Sequence, residues 1–203
     1  MFSWKAIIGH FKDMRAYFAF ATILFFAGMV VGGTNQQLEM FMNSQLEGLI
    51  QLAQTAQNSS NPTLFMFVLI FLNNAVKSIL IMYLGVLFGV IPIFFILVNG
   101  MLLGYLFTVI NQQGGDLFTL IVKGILPHGI IEIPAIIVAC AYGIRFGMLT
   151  LQGAGNLVRK KPGFGTVYEQ FLIRTVPVMV ILVISLLVAA VVESTFTLWL
   201  LQA

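Results

Sequence analysis

Residues Ile125–Gly147 read ILPHGIIEIPAIIVACAYGIRFG, an apolar run interrupted by a histidine, a glutamate, two prolines and an arginine. At about 1.5 Å per residue such a run is long enough to cross a hydrocarbon core of roughly 30 Å. Ionisable side chains at that depth are costly unless they face protein, water or a partner, which marks His128 and Glu132 as candidate functional residues.

Outward from this stretch the chain keeps the same character. Of its 203 residues, 60% are hydrophobic and 8% charged, and the mean hydropathy is +1.01. Soluble domains carry roughly a quarter charged residues. The reading is an all-α, polytopic transmembrane helix bundle of about five spans, forming one integral membrane domain over residues 1–203. The net charge of +3 then reports topology and not a nucleic-acid partner. Cys140 is the lone cysteine, which excludes an intramolecular disulfide and a cysteine-rich metal site.

The N-terminal segment carries Lys5, Lys12 and Arg15 between Trp4, Ile7, Ile8, Phe11 and Phe18, the spacing of an amphipathic helix on a basic face. Tyr17 to Gly33 follows as the first span, with no Ala-x-Ala site after it, so it reads as an uncleaved anchor. Residues 34–62 are polar, yet Leu38, Met42, Leu46, Leu49, Ala53 and Ala56 recur at helical spacing. This predicts an amphipathic helix at the extracytoplasmic surface. Thr63–Tyr83 and Leu84–Ile110 form two spans joined by a tight turn at Gly85 or Gly89. Tyr168–Arg174 is expected as a short interfacial helix before a last span from Val176 to about Leu201.

Lys5, Lys12, Arg15, Arg145, Arg159, Lys160, Lys161 and Arg174 fall on one side of a five-span chain, while Glu39, Glu47, Asp116 and Glu193 lie on or toward the other. The positive-inside rule makes the first side cytoplasmic, with the N-terminus inside and the C-terminus outside. Residues 152–165 become a basic cytoplasmic loop, and Arg145, Arg159, Lys160 and Lys161 become its anchors. Lys77 and Lys123 are the exceptions.

Within the central stretch, His128 and Glu132 share a helix face. Pro127 suits the first turn of a helix, which leaves Phe118–Leu126 too short to span alone. The sequence therefore favours a broken or re-entrant helix before Pro127 over one long kinked helix. His128, Glu132, Asn73, Asn74, Asn99 and Glu193 form an intramembrane polar cluster, read as a packing lock. A proton or ion relay through His128, Glu132 and Glu193 is the alternative. No metal site is assigned: HExxH is absent, and His128 and Glu132 would need a third ligand from Glu193 or a second subunit. No cofactor or catalytic residue is called.

The pairs Gly28/Gly32, Gly85/Gly89, Gly100/Gly104 and Gly143/Gly147 let helices approach closely. Gly129 and Pro134 are grouped with them as packing positions, and one pair is expected to remain for a homodimer.

FLNNAVKS (Phe71–Ser78), GVLFG (Gly85–Gly89), NGMLLG (Asn99–Gly104) and above all LPHGIIEIPAIIVACAYGIRFG (Leu126–Gly147) resemble the stage II sporulation protein M family. The likeness is strongest from Phe71 to Gly147, and its most specific part is the PHGxxExPA core. The Ala190, Glu193 and Thr195 region is similar as well. The resemblance implies a small, non-enzymatic membrane scaffold that anchors and positions septal peptidoglycan-degrading envelope proteins during engulfment in sporulation. Its partners, besides the lipid bilayer, would meet residues 34–62, the Asn111–Asp116 loop and the C-terminal end. The alternative function is a small transporter or channel using the His/Glu path.

Overall fold

The computed structural model describes residues 4–158 and 164–202, which are helical almost throughout and contain no strand. A short helix α1 (Trp4–Asp13) precedes α2 (Arg15–Thr34), and α3 (Glu39–Gln57) precedes the pair α4 (Pro62–Leu84) and α5 (Val90–Gln112). α6 (Leu117–Thr119) runs through a π-helical segment, Leu120–Ile125, into α7 (Leu126–Val158). α8 (Phe164–Val192) runs through a second π-helical segment, Glu193–Thr197, into α9 (Leu198–Gln202). Five helical runs are long and apolar enough to cross a membrane: Arg15–Thr34, Pro62–Leu84, Val90–Gln112, Leu117–Asn156 and Gly165–Leu201. The fold is a five-span helical bundle.

Local sequence accounts for the element ends. Asn61 accepts a hydrogen bond from the Leu64 N–H at 3.1 Å, and Pro62 follows at the first turn, so α4 starts with its orphan donors partly met. Between α4 and α5 the chain reverses within residues 85–89, where Phe88 and Gly89 have φ of 58° and 75°. Gly89 adopts that left-handed conformation at no steric cost, whereas Phe88 does so at a cost that its surroundings must hold. Asp116 caps the next run by accepting from Phe118 and Thr119. Its carboxyl is held below the usual range, first by the Thr119 hydroxyl and then by those backbone donors.

Two boundaries differ from expectation. The segment before Pro127 is neither broken nor re-entrant, because Leu117–Asn156 is one continuous helical run. In the π-helical segment the Leu126 N–H bonds to the Ile121 carbonyl, five residues back. That widened turn admits Pro127, which has no N–H to donate, without ending the helix. Pro177 likewise lies inside α8, so Tyr168–Arg174 is the first part of a long span and not a separate interfacial helix.

The glycine pairs hold the bundle together, two against two. A Cβ on Gly28 or Gly32 would collide with the α5 backbone at Leu97 and Met101, and one on Gly100 or Gly104 with the α2 backbone at Phe25 and Met29. Gly85 abuts Gly143 and Gly89 abuts Gly147, which clamps the α4–α5 turn to α7. All four pairs are therefore occupied within the chain, and none remains as a glycine face for a second copy. Gly129 and Pro134 are corrections: a Cβ at Gly129 would meet only Ile125 and Ile133 of its own helix, and Pro134 is exposed. Neither sits at an inter-helix contact.

Around the Gly143/Gly147 end the core is dense and aromatic. Tyr142, Met82, Leu149, Val178 and Leu186 are fully buried there, and Phe146 and Phe171 stack at 5.9 Å between ring centroids. α1 closes this end by laying His10 against Tyr142 at 5.4 Å.

Candidate functional site

The opposite end of the bundle contains a cavity of about 600 Å³. Gln45 and Leu52 of α3 stand at its mouth, and His128, Glu132, Ile136 and Ser78 lie at its inner part. Along α4 its lining runs from Met66 to Ser78, a depth of roughly 18 Å at 1.5 Å per residue.

The ionisable residues come from two helices distant in sequence. α7 presents His128 and Glu132 one turn apart, and the π-helical segment Glu193–Thr197 presents Glu193. One donor atom from each of His128, Glu132 and Glu193 lies within 4.8 Å of the other two. His128 Nε2 is 4.0 Å from Glu193 Oε2, beyond hydrogen-bond distance. The other ring nitrogen, Nδ1, is 3.4 Å from Thr197 Oγ1. Asn73, Asn74 and Glu132 line the same cavity, and Asn73 Nδ2 donates to Asn74 Oδ1 at 3.4 Å.

Asn99 lines the same cavity, but its Nδ2 donates to the Phe95 carbonyl of its own helix at 2.8 Å and not to the cluster. Lys77 also lines the cavity. The cluster is therefore not the dry, fully paired lock expected from the sequence. It is half-buried, only partly hydrogen-bonded and open toward the α3 end.

Arg145 has no part in this site. At the other end of α7 it donates from Nη1 to Tyr17 Oη at 2.8 Å, with its guanidinium carbon 5.3 Å from the Tyr17 ring centroid. Arg159, Lys160 and Lys161 lie outside the described residues.

Two polar residues escaped sequence reasoning. Thr197, His128's partner, lies four residues after Glu193, so its spacing was a usable signal. His10 had none: it looks like one polar position on an amphipathic helix, yet it is 7% exposed and neither ring nitrogen has a hydrogen-bond partner. Burial, followed by the nearby Arg174 charge, holds its pKa below the usual value of 6.5.

The family model for stage II sporulation protein M matches residues 17–198, which reaches from the first span to the last and includes every member of the polar cluster. The chain belongs to the stage II sporulation protein M family. It is thus a multi-pass membrane protein of a family named for sporulation. An uncharacterized protein of Methanocaldococcus jannaschii is 31% identical over 123 residues, 60% of this chain and 52% of that protein. The chain thus matches about half the length of this family relative. No solved structure matches it.

Proposed function

We propose that the protein is a non-enzymatic membrane scaffold that anchors and positions peptidoglycan-degrading envelope proteins at the sporulation septum. The observation that carries this reading is α3. Among the described residues it is the one long helix that lacks the apolarity to span. It buries Met42 and Ala56 against the bundle and leaves Met40, Phe41 and Ile50 exposed beside Glu39 and Glu47. A helix held on the bundle by one face, with apolar and acidic side chains on the rest, suits docking of a second protein. The basic Lys12, Arg15, Arg145 and Arg174 sit at the opposite end, which supports an orientation with α3 and the C-terminus outside the cell and the N-terminus within.

The test is co-purification from a sporulating host, comparing the intact chain with a variant carrying Met40→Ser, Phe41→Ser and Ile50→Ser. The intact chain should retain a peptidoglycan-degrading partner that the triple variant loses. Recovery of the same partners with both would refute α3 as the docking surface.

The cavity lined by His128, Glu132 and Glu193 favours a second reading, a small transporter whose polar path uses these three residues. Ion flux in proteoliposomes, abolished by Glu132→Gln in a normally folded protein, would replace the scaffold-only account. No flux above protein-free liposomes would remove this reading.

A further inference from the structure

Three side chains of metal-ligating type converge at membrane depth, on two helices more than sixty residues apart in sequence. Their spacing is informative. The 4.0 Å between His128 Nε2 and Glu193 Oε2 is too long for a hydrogen bond, whose N···O distance is about 2.7–3.2 Å. Two nitrogen or oxygen ligands of one tetrahedral ion, at roughly 2.0–2.2 Å each, lie about 3.3–3.6 Å apart. The 4.0 Å pair is a few tenths of an ångström wider than that, and the full triangle of donors, none more than 4.8 Å from another, closes on one ion by side-chain movement of up to about 1.5 Å.

The surroundings are those of a ligand set. When His128 Nδ1 carries the proton it donates toward Thr197 Oγ1, which leaves the Nε2 lone pair facing the carboxylates. Asn74 shares the cavity wall with Glu132 and accepts from Asn73 Nδ2 at 3.4 Å. Metal-binding imidazoles and carboxylates are oriented by such outer partners. The two segments that carry or adjoin the ligands, Leu120–Ile125 just before His128 and Glu193–Thr197, are both π-helical, a geometry frequent at functional sites.

Charge points the same way. Two carboxyl groups within 4.8 Å of one another at membrane depth can both ionise only beside a counter-charge. Lys77 lines the cavity, yet among the described residues it is within ion-pair distance of neither glutamate. A dication held between the two carboxylates would offset both.

We propose that His128, Glu132 and Glu193 bind one divalent transition-metal ion of the Zn²⁺ class. His128 Nε2 and one carboxylate oxygen from each glutamate serve as ligands, and the cavity supplies the open position. One imidazole nitrogen with two carboxylate oxygens and a free site suits such an ion better than Mg²⁺ or Ca²⁺, which favour all-oxygen sets. The site is independent of whether the protein scaffolds or transports.

The test uses the full-length, tag-free chain in lipid nanodiscs, stripped with chelator and titrated with Co²⁺. The wild type should develop visible absorption bands that saturate at one equivalent and vanish when Zn²⁺ is added. His128→Gln, Glu132→Gln and Glu193→Gln should each weaken binding by more than about tenfold, and Asn74→Ala by about tenfold as an outer partner. Each variant is checked for an unchanged elution profile, and any one that folds is sufficient. A wild type with no saturable bands overturns the proposal on its own, without any variant. So does a folded ligand variant that binds as tightly as the wild type.

Discussion

The two ends of the bundle solve opposite problems with the same helices. At the α1 end, α7 lays Gly143 and Gly147 against the α4–α5 turn and surrounds Tyr142 with aromatic rings, and the cavity of about 600 Å³ beside them is lined by His10, Asp13, Gln170 and Arg174 of α1 and α8. About three to five turns earlier, the same helix turns His128 and Glu132 toward a cavity of about 600 Å³. Glycine lets backbones close together in a solvent that gives no hydrophobic drive for helix association. Where bulkier and polar side chains replace it, the helices stand apart and water-accessible chemistry becomes affordable. Stability should therefore be concentrated at one end and function at the other.

That contrast is most easily broken at the glycine contacts. Gly147→Val places a branched side chain into the Gly89 backbone. It should cost about 3 kcal/mol or more and yield little monodisperse protein on size exclusion. Near-native yield would mean that α7 is not locked against the α4–α5 turn. A smaller loss is expected from Arg145→Leu, which removes the bond to Tyr17. The expected cost is about 1.5–3 kcal/mol in thermal or denaturant unfolding, with Tyr17→Phe losing less because the cation keeps its place over the ring.

His10 gives this end a pH dependence. Burial holds its pKa below 6.5 in the folded chain, so between the folded and unfolded pKa values the unfolded state binds more protons. Stability then rises with pH through that window and is lost as pH falls below about 6.5. The melting temperature should drop between pH 7 and pH 5, and His10→Phe should flatten the dependence. A wild-type profile identical to that of His10→Phe would show that His10 carries no such linkage. The smallest effect belongs to the cavity end. Glu132→Gln keeps the shape of the side chain and should change stability by less than about 1 kcal/mol, while altering whatever binds there. A large loss of stability would restore the packing-lock reading.

The sequence made the packed end more legible than the open one. Span length and hydropathy identify five crossings, and glycines spaced four apart anticipate close contacts, because these signals are local. The turn at Gly85–Gly89 follows from two spans with no polar loop between them. Over the six residues before Pro127, by contrast, a π-helical turn cannot be told from a break, because both begin from the same missing N–H. Pro177 misleads in the same way. At the site, the spacing of His128 and Glu132 assigns them one face, but their approach to Glu193 is set by the packing of α7 on α8. Glu193 could be named as a third group, whereas the direction of Asn99, bonded back to Phe95, could not. His10 illustrates the general limit: a single polar residue on an amphipathic helix gives no sign that a neighbouring helix will bury it.

The division between the buried core of α7 and the cavity can be measured directly by thiol accessibility in nanodiscs. Cys140 is the native cysteine and is fully buried, while Asn99 lines the cavity. A water-soluble maleimide should leave the wild type unlabelled and label Asn99→Cys rapidly. Rapid labelling of Cys140, or an Asn99→Cys chain that stays silent, would contradict the account.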